Sequence, residues 1–245
     1  MIRIADFEEY RSLASGLSRA VTNNYLLPSG ARRIIARGNL FAYRQPGALF
    51  LFERREGYFK LFFSVTDMSV TLPPAASPLT AFIVRRGSPD DTAARWLAER
   101  GFGHAVERIR MTARTLNVEP SMDGVADASP EEAHALFLES FDILTADLPL
   151  PDAYGRLLAV RDGDGSAAGI LHAGSPRFIA VRPDRRRRGI AARLYGAYSA
   201  LRQDAGVIRA WVDADNAPAV ALYGKLGFVP DGTLAEGWTF VKESS

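Results

Sequence analysis

The stretch VRPDRRRRGIAARL, Val181 to Leu194, constrains the chain more than any other. It follows the apolar run RFIAV, breaks into a turn of four arginines and a glycine, and continues with Ile190, Leu194, Ala197, Tyr198 and Leu201 on one helical face. A strand leading through a tight turn into a helix leaves the first N–H groups of that helix unpaired, facing the turn at the positive end of the helix dipole. A phosphate satisfies them. Gly189 lets a bound group come close to the backbone, Ala191 keeps the next point of approach small, and Arg186, Arg187 and Arg188 add backbone amides and charge-assisted donors. A solvated charge run would account for the arginines but not for the strand, the glycine or the helix. Nucleic acid calls for further basic stripes with aromatics between them, and 30 basic against 28 acidic residues leave a net charge of only +2. A pyrophosphate-bearing ligand accounts for every feature of the stretch.

The second half of the chain frames this segment with alternating elements. Ser129-Pro130-Glu131-Glu132 is a helix start, capped by the serine and running to about Asp142. RLLAVRD, the turn DGDGS and AAGILHA form two strands before RFIAV, and VIRAWVDA (207–214) forms another after the helix stops at Gly206. A short helix begins at Asn216-Ala-Pro218 and ends in LGF at 226–228, and FVPDGTL with GWTFVKE is expected as a terminal hairpin. The first half reads as helical material over about 5–37, three strands at 40–45, 48–55 and 58–65, the Pro-rich TLPPAASP, a strand at 79–86, a helix after Ser88-Pro89, and the strand-like HAVERIRMTARTL. Both halves thus carry a meander, a strand, a short helix ending in Gly-Phe and more strand: WLAERGF at 96–102 stands opposite LYGKLGF at 222–228. The polar NVEPSMDG (117–124) is the boundary between them, giving domains 1–119 and 120–245. The expected class is α/β, with mixed sheets flanked by helices.

Two motifs in order carry a resemblance to a known family. Val181-x-Pro183-x-x-Arg186-Arg187-Arg188-Gly189-Ile190-Ala191 resembles the acyl-CoA pyrophosphate loop of the GNAT superfamily of N-acetyltransferases, and Asn216-x-x-Ala219-x-x-Leu222-Tyr223-x-Lys225-x-Gly227-Phe228 resembles its later motif. The resemblance covers most of 123–245 and implies two GNAT-like units in tandem, the first degenerate: it has TLPPAASP where the loop would fall, and Leu97 opposite Tyr223. It implies acetyl-CoA or another acyl-CoA as co-substrate, its pyrophosphate on the backbone of Arg186 to Ala191 and its pantetheine arm along Ile179, Ala180 and Val181. Asn216 would contact that arm or help open the splay of the strands, and Tyr223 would protonate the departing thiolate. The bland readings stand beside these. Asn216 is a good N-cap, and Tyr223 shares an i, i+3, i+4, i+7 stripe with Ala219, Leu222 and Leu226 that by itself means packing.

The expected reaction is direct acyl transfer to a primary amine of a small molecule or peptide. RFIAV carries no carboxylate to deprotonate that amine, so His172, which titrates in the useful range, is the candidate base; Glu139, Asp142, Asp213 and Asp215 are further acids that face either substrate or solvent. The rivals are a non-catalytic acyl-CoA-binding module and a transferase with a longer acyl donor. The aromatics Phe50, Phe52, Tyr58, Phe59, Phe62 and Phe63 of the first half read as core rather than cleft. Zero cysteines exclude disulfides and thiolate chemistry and fit a reducing cytoplasm. No metal or nucleic acid is expected, and no membrane partner either, the last because MIRIADFEEYRSL lacks a signal peptide's basic start and no run approaches about 20 apolar residues. A homodimer is compatible with the sequence.

Overall fold

The computed structural model describes residues 1–15, 20–24, 26–73, 78–87, 91–148, 151, 154–173, 178–202 and 206–241. In chain order the elements are β1 (Ile2–Arg3), α1 (Phe7–Ala14), β2 (Val21–Thr22), α2 (Pro28–Ala36), β3 (Leu40–Gln45), β4 (Ala48–Arg54), β5 (Phe59–Val65), β6 (Leu79–Arg86), α3 (Thr92–Ala98) and β7 (Gly103–Ala113). There follow β8 (Val125–Asp127), α4 (Pro130–Ser140), α5 (Ile143–Ala146), β9 (Leu157–Arg161), β10 (Ala167–His172), β11 (Ile179–Val181), α6 (Ile190–Leu201), β12 (Ile208–Asp213), α7 (Ala217–Lys225) and β13 (Val229–Phe240). The mixed α/β class expected from the sequence is what forms.

The chain packs as two compact units, Met1–Val106 with Leu234–Ser245, and Glu107–Thr233. In the first, the sheet runs β1-β3-β4-β5-β6 and ends on the 234–240 stretch of β13. Every residue of β4 up to Glu53 is buried, because its two faces serve two cores. Phe50 and Phe52 join Phe63, Trp96 and Leu97 on one side. Leu49 and Leu51 join Phe62, Ile34 and Ile35 on the other. The aromatic strands of the first half are therefore core. In the second unit, β9 and β10 likewise separate a core under α6 and α7, with Leu158, Leu171, Leu194 and Tyr223, from one under α4, with Leu157, Ile170, Phe137 and Phe178.

Two expectations about elements are corrected. Residues 5–37 are two helices separated by a short strand, because Pro28 occupies the first turn of a new helix and its ring ends any helix coming from before it. Residues 229–240 are one strand, not a hairpin: Gly232 takes φ 78° without reversing the chain, and Asp231 turns its carboxylate to Arg110 (2.8 Å) and to the Thr233 N–H (3.0 Å). The helix start read at Ser88-Pro89 and part of TLPPAASP lie outside the described residues. The capped start at Ser129 forms as read, its Oγ accepting from the Glu132 N–H at 3.1 Å.

Candidate functional site

The turn between β11 and α6 begins with a 3-10 segment, Pro183–Arg185, after which Arg187 takes φ 63° and Gly189 φ 74°. These two left-handed residues bend the backbone so that successive N–H groups converge. Among the described residues, the N–H groups of Arg187 through Ala192 have no acceptor in the protein; the series of paired amides resumes with Arg193, which donates to Gly189 O at 3.0 Å. Six consecutive donors at the start of a twelve-residue helix form a site for an anion. A β-carbon on Gly189 would meet nothing within 4 Å, so the approach is open. A β-carbon on Gly169 would lie 2.7 Å from Ile190 Cγ2; its absence lets the first turn of α6 rest on β10.

The four arginines divide by their partners. Arg185 is tied to Asp162 (2.7 Å) and Asp184 (2.8 Å), which hold its guanidinium firmly protonated, the hydrogen bond to Asp162 foremost. Arg186 Nε donates to Val181 O at 3.3 Å. Arg187 and Arg188 are exposed and have no partner among the described residues.

Among the described residues, β11 pairs with β10 on one side only and ends its sheet. The register sets Ile170 against Ala180, with His172 N–H donating to Phe178 O (3.0 Å) and Arg182 N–H to Ala168 O (3.0 Å). By the alternation of an antiparallel ladder, Ala180 turns its own backbone groups to β10, while Ile179 and Val181 present theirs to the open edge. Of the three residues expected beside an extended ligand, these two offer hydrogen bonds.

Tyr223, on α7, is 3% exposed and ringed by Tyr195 at 6.0 Å and Phe228 at 5.2 Å between centroids. Burial pushes its phenol above the ordinary range, an effect partly offset by the neighbouring Tyr195 hydroxyl. Tyr195 is 0% exposed, its phenol pushed up further, first by burial and then by Tyr223; its Oη has no hydrogen-bond partner of ordinary geometry. Asn216 caps α7, its Oδ1 accepting from the Ala219 N–H at 3.1 Å. His172 is 9% exposed, its Nε2 accepts from the Gly155 N–H at 3.0 Å, and its ring lies edge-on to Tyr154. It alternates with Leu171 along β10, so it faces the α4 side whereas Tyr223 belongs to the core under α6. The structure brings the anion turn, the β11 edge and α7 into one unit but leaves His172 across the sheet from Tyr223. Asp213 pairs with Arg108 (2.7 Å), and Asp142 caps α5 through the Leu144 N–H (2.8 Å).

Sequence reasoning missed Tyr195 and Arg108. Tyr195 sits beside Leu194 on a buried helix face wider than the single stripe first traced, a width that Ile190, Leu194 and Ala197 already hinted at. Arg108, which also donates to Thr145 O at 2.7 Å, carries no signal in the sequence because its partners lie 37 and 105 residues away.

Residues 128–228 match the model of the Acetyltransferase (GNAT) family. The match spans less than half of the chain, and the anion turn and α7 both lie within it. No curated protein matches the sequence. Among solved structures, a Drosophila protein shares the fold with a TM-score of 0.63 and 15% identity, over 98% of this chain and 96% of that one. A GCN5-related N-acetyltransferase from Kribbella flavida follows at 0.52 and 18%, over 89% and 94%. One from Sphaerobacter thermophilus stands at 0.50 and 17%, over 81% and 78%. At such identities the likeness is one of fold. Among the described residues no cluster of three or more His, Asp or Glu could hold a metal, and no helix is long and apolar enough to cross a membrane.

Proposed function

We propose that the protein is an N-acyltransferase that moves an acetyl group from acetyl-CoA to a primary amine of a small molecule or peptide, with 120–245 as the working half and 1–119 as a degenerate GNAT-like half. The observation that carries this is the run of six unpaired backbone donors, Arg187 to Ala192, at the start of α6 beside the open edge of β11. The residues fit the ligand: the donors and the free guanidinium groups of Arg187 and Arg188 suit a pyrophosphate, and the outward amides of Ile179 and Val181 suit an extended amide-bearing arm. Acyl-CoA would supply a thioester carbonyl for the amine to attack and a thiol to depart. Tyr223 Oη, kept protonated by its burial, is the proton donor to that sulfur.

The burial of Tyr223 in a packed aromatic cluster is the one observation that favours the rival reading, an acyl-CoA-binding module without turnover. The two part in a single experiment: CoA release is followed over a panel of amines with wild type and Tyr223→Phe. The enzyme reading expects turnover that falls by about 10²-fold or more in the variant, the usual worth of a positioned acid. Undiminished turnover removes the acid role, and CoA binding with no release for any amine favours the module. His172→Gln tests the base: an altered acid limb of the rate profile assigns the role to His172, and an unchanged one removes it.

A further inference from the structure

The elements of the first half match those of the second in order, so that β5 and β6 stand where β11 and β12 stand; β5 and β6 begin as a parallel pair, whereas β11 and β12 belong to different sheets. In the second unit the edge of β11 has no partner strand among the described residues. In the first it is taken. β5 and β6 pair over Phe59 with Leu79, Lys60 with Thr80 and Leu61 with Ala81, then separate. β2 enters alongside β5, antiparallel, with Val21 against Val65 and Thr22 against Ser64. Asn23, 5% exposed, completes the insert. Its Nδ2 donates to Leu61 O on β5 (3.0 Å) and to Phe82 O on β6 (3.2 Å), while its Oδ1 accepts from the Phe63 N–H (2.6 Å). The Asn23 N–H and the Thr22 hydroxyl both donate to Phe63 O, at 3.2 and 2.7 Å.

One carboxamide thus bridges two parting strands and satisfies three backbone groups that their separation would leave buried and unpaired. We propose that residues 21–23 fill, in cis, the cleft that the pantetheine arm of acyl-CoA takes along β11: the first unit carries an acyl-carrier cleft whose occupant is its own chain. An amide side chain and an extended backbone present the same donors and acceptors as the amides of pantetheine, which is why a short strand ending in asparagine serves. The chain therefore binds one acyl-CoA, and the first unit is closed by a filled cleft as well as by the lack of an arginine-glycine turn. The identity of the ligand that the insert replaces rests on the proposed function; the insert itself rests on the hydrogen bonds above.

Amide hydrogen exchange on the full chain, with and without CoA, tests it. In wild type, 59–65 and 79–86 are expected to be protected without CoA and unchanged by it, while 179–192 gains protection. Asn23→Ala is expected to speed exchange at the Phe63 amide at least about 10-fold, the size of one lost buried hydrogen bond, without altering the response of 179–192. Asn23→Asp, equal in size, still accepts from Phe63 but cannot donate to Leu61 or Phe82. It is expected to loosen β5 and β6 to a lesser degree, and it decides the matter if the alanine variant does not fold. CoA-induced protection of 59–65 or 79–86 in wild type, or exchange in Asn23→Asp equal to wild type, overturns the proposal. Failure of CoA to protect 179–192 counts against the proposed function alone, because the comparison of Asn23 variants uses no ligand.

Discussion

Arg187 and Gly189 share a backbone conformation but divide two costs between them. An L-residue in the left-handed region is strained by about 1–2 kcal/mol, and Arg187 bears that strain at φ 63° while offering a free guanidinium. Replacing it with glycine relieves the strain but adds about 0.5–1 kcal/mol of chain entropy to be lost on folding. Arg187→Gly is therefore expected to leave the melting temperature level or slightly raised while CoA affinity falls about 10-fold, the worth of one charge-assisted contact. Gly189→Ala has the opposite balance: a cost of about 1–2 kcal/mol in stability together with weaker binding. Calorimetric melting and CoA titration on the two variants separate the effects, and a parallel loss in both for Arg187→Gly would sink the argument. The buried tyrosines make a second prediction at this scale. Tyr195 and Tyr223 have phenols raised above their unfolded value near 10 by burial. The stability that they lend is thus fully present below pH 10 and is lost as pH rises through their folded values. Tyr195→Phe is expected to move alkaline unfolding to higher pH, since it removes the more strongly raised of the two phenols. An unfolding midpoint at unchanged or lower pH would contradict it. The glycine was legible in the sequence because its backbone role leaves a residue-type signature, whereas the Tyr195–Tyr223 contact joins residues 28 apart on two helices and leaves none.

At the scale of elements, the anion turn works because β10, β11 and α6 are locked together at Gly169. A β-carbon there would stand 2.7 Å from Ile190 Cγ2, 3.1 Å from Ala180 O and 3.2 Å from Val181 Cγ2, so all three elements would have to give. Gly169→Ala is expected to cost about 1–3 kcal/mol, as overpacking does, and to weaken CoA binding by tilting the first turn of α6 away from the turn that precedes it. Gly163→Ala is the control, since a β-carbon there meets nothing and its φ is ordinary. Equal melting temperatures for the two variants would refute the locking role. Helices and strands with a clear apolar period and a capping residue were legible: α4 behind Ser129-Pro130, α7 behind Asn216, and β4 with β5 as consecutive aromatic strands. Those that depend on partners far away were not. β2 is two residues long and exists because β5 has an edge to offer, and β13 runs through Asp231-Gly232 because Arg110 holds the aspartate in line.

At the scale of the whole molecule, the boundary read from the sequence and the division by packing fall in different places, and the difference has a measurable consequence. The polar segment 117–124 separates two runs of similar elements, yet residues 107–113 pack in the second unit and 234–240 in the first. Composition marks where the chain is polar; it cannot mark a strand that completes the sheet of the other half. In the second unit β7 pairs with β12 from Ile208 opposite Ala113 to Asp213 opposite Arg108, and Met111, Ala113 and Leu116 are buried in the core that holds Tyr223. Arg108 and Arg110 add ion pairs at 2.7 Å to Asp213 and Asp231. A fragment of residues 120–245 keeps both family motifs but loses this strand, leaving six paired positions of β12 and one wall of the core unsatisfied. Burying a side chain such as Met111 or Leu116 is worth about 1.5–3 kcal/mol, and a unit of this size is stable by only about 5–15 kcal/mol, so two such losses, the smaller one at Ala113 and the ladder remove most of it. A fragment of residues 107–233 keeps them all. It is expected to melt cooperatively and to bind CoA, whereas 120–245 is expected to show no cooperative transition by circular dichroism. A cooperative melt of 120–245 equal to that of 107–233 would mean that β12 and its core do not need β7.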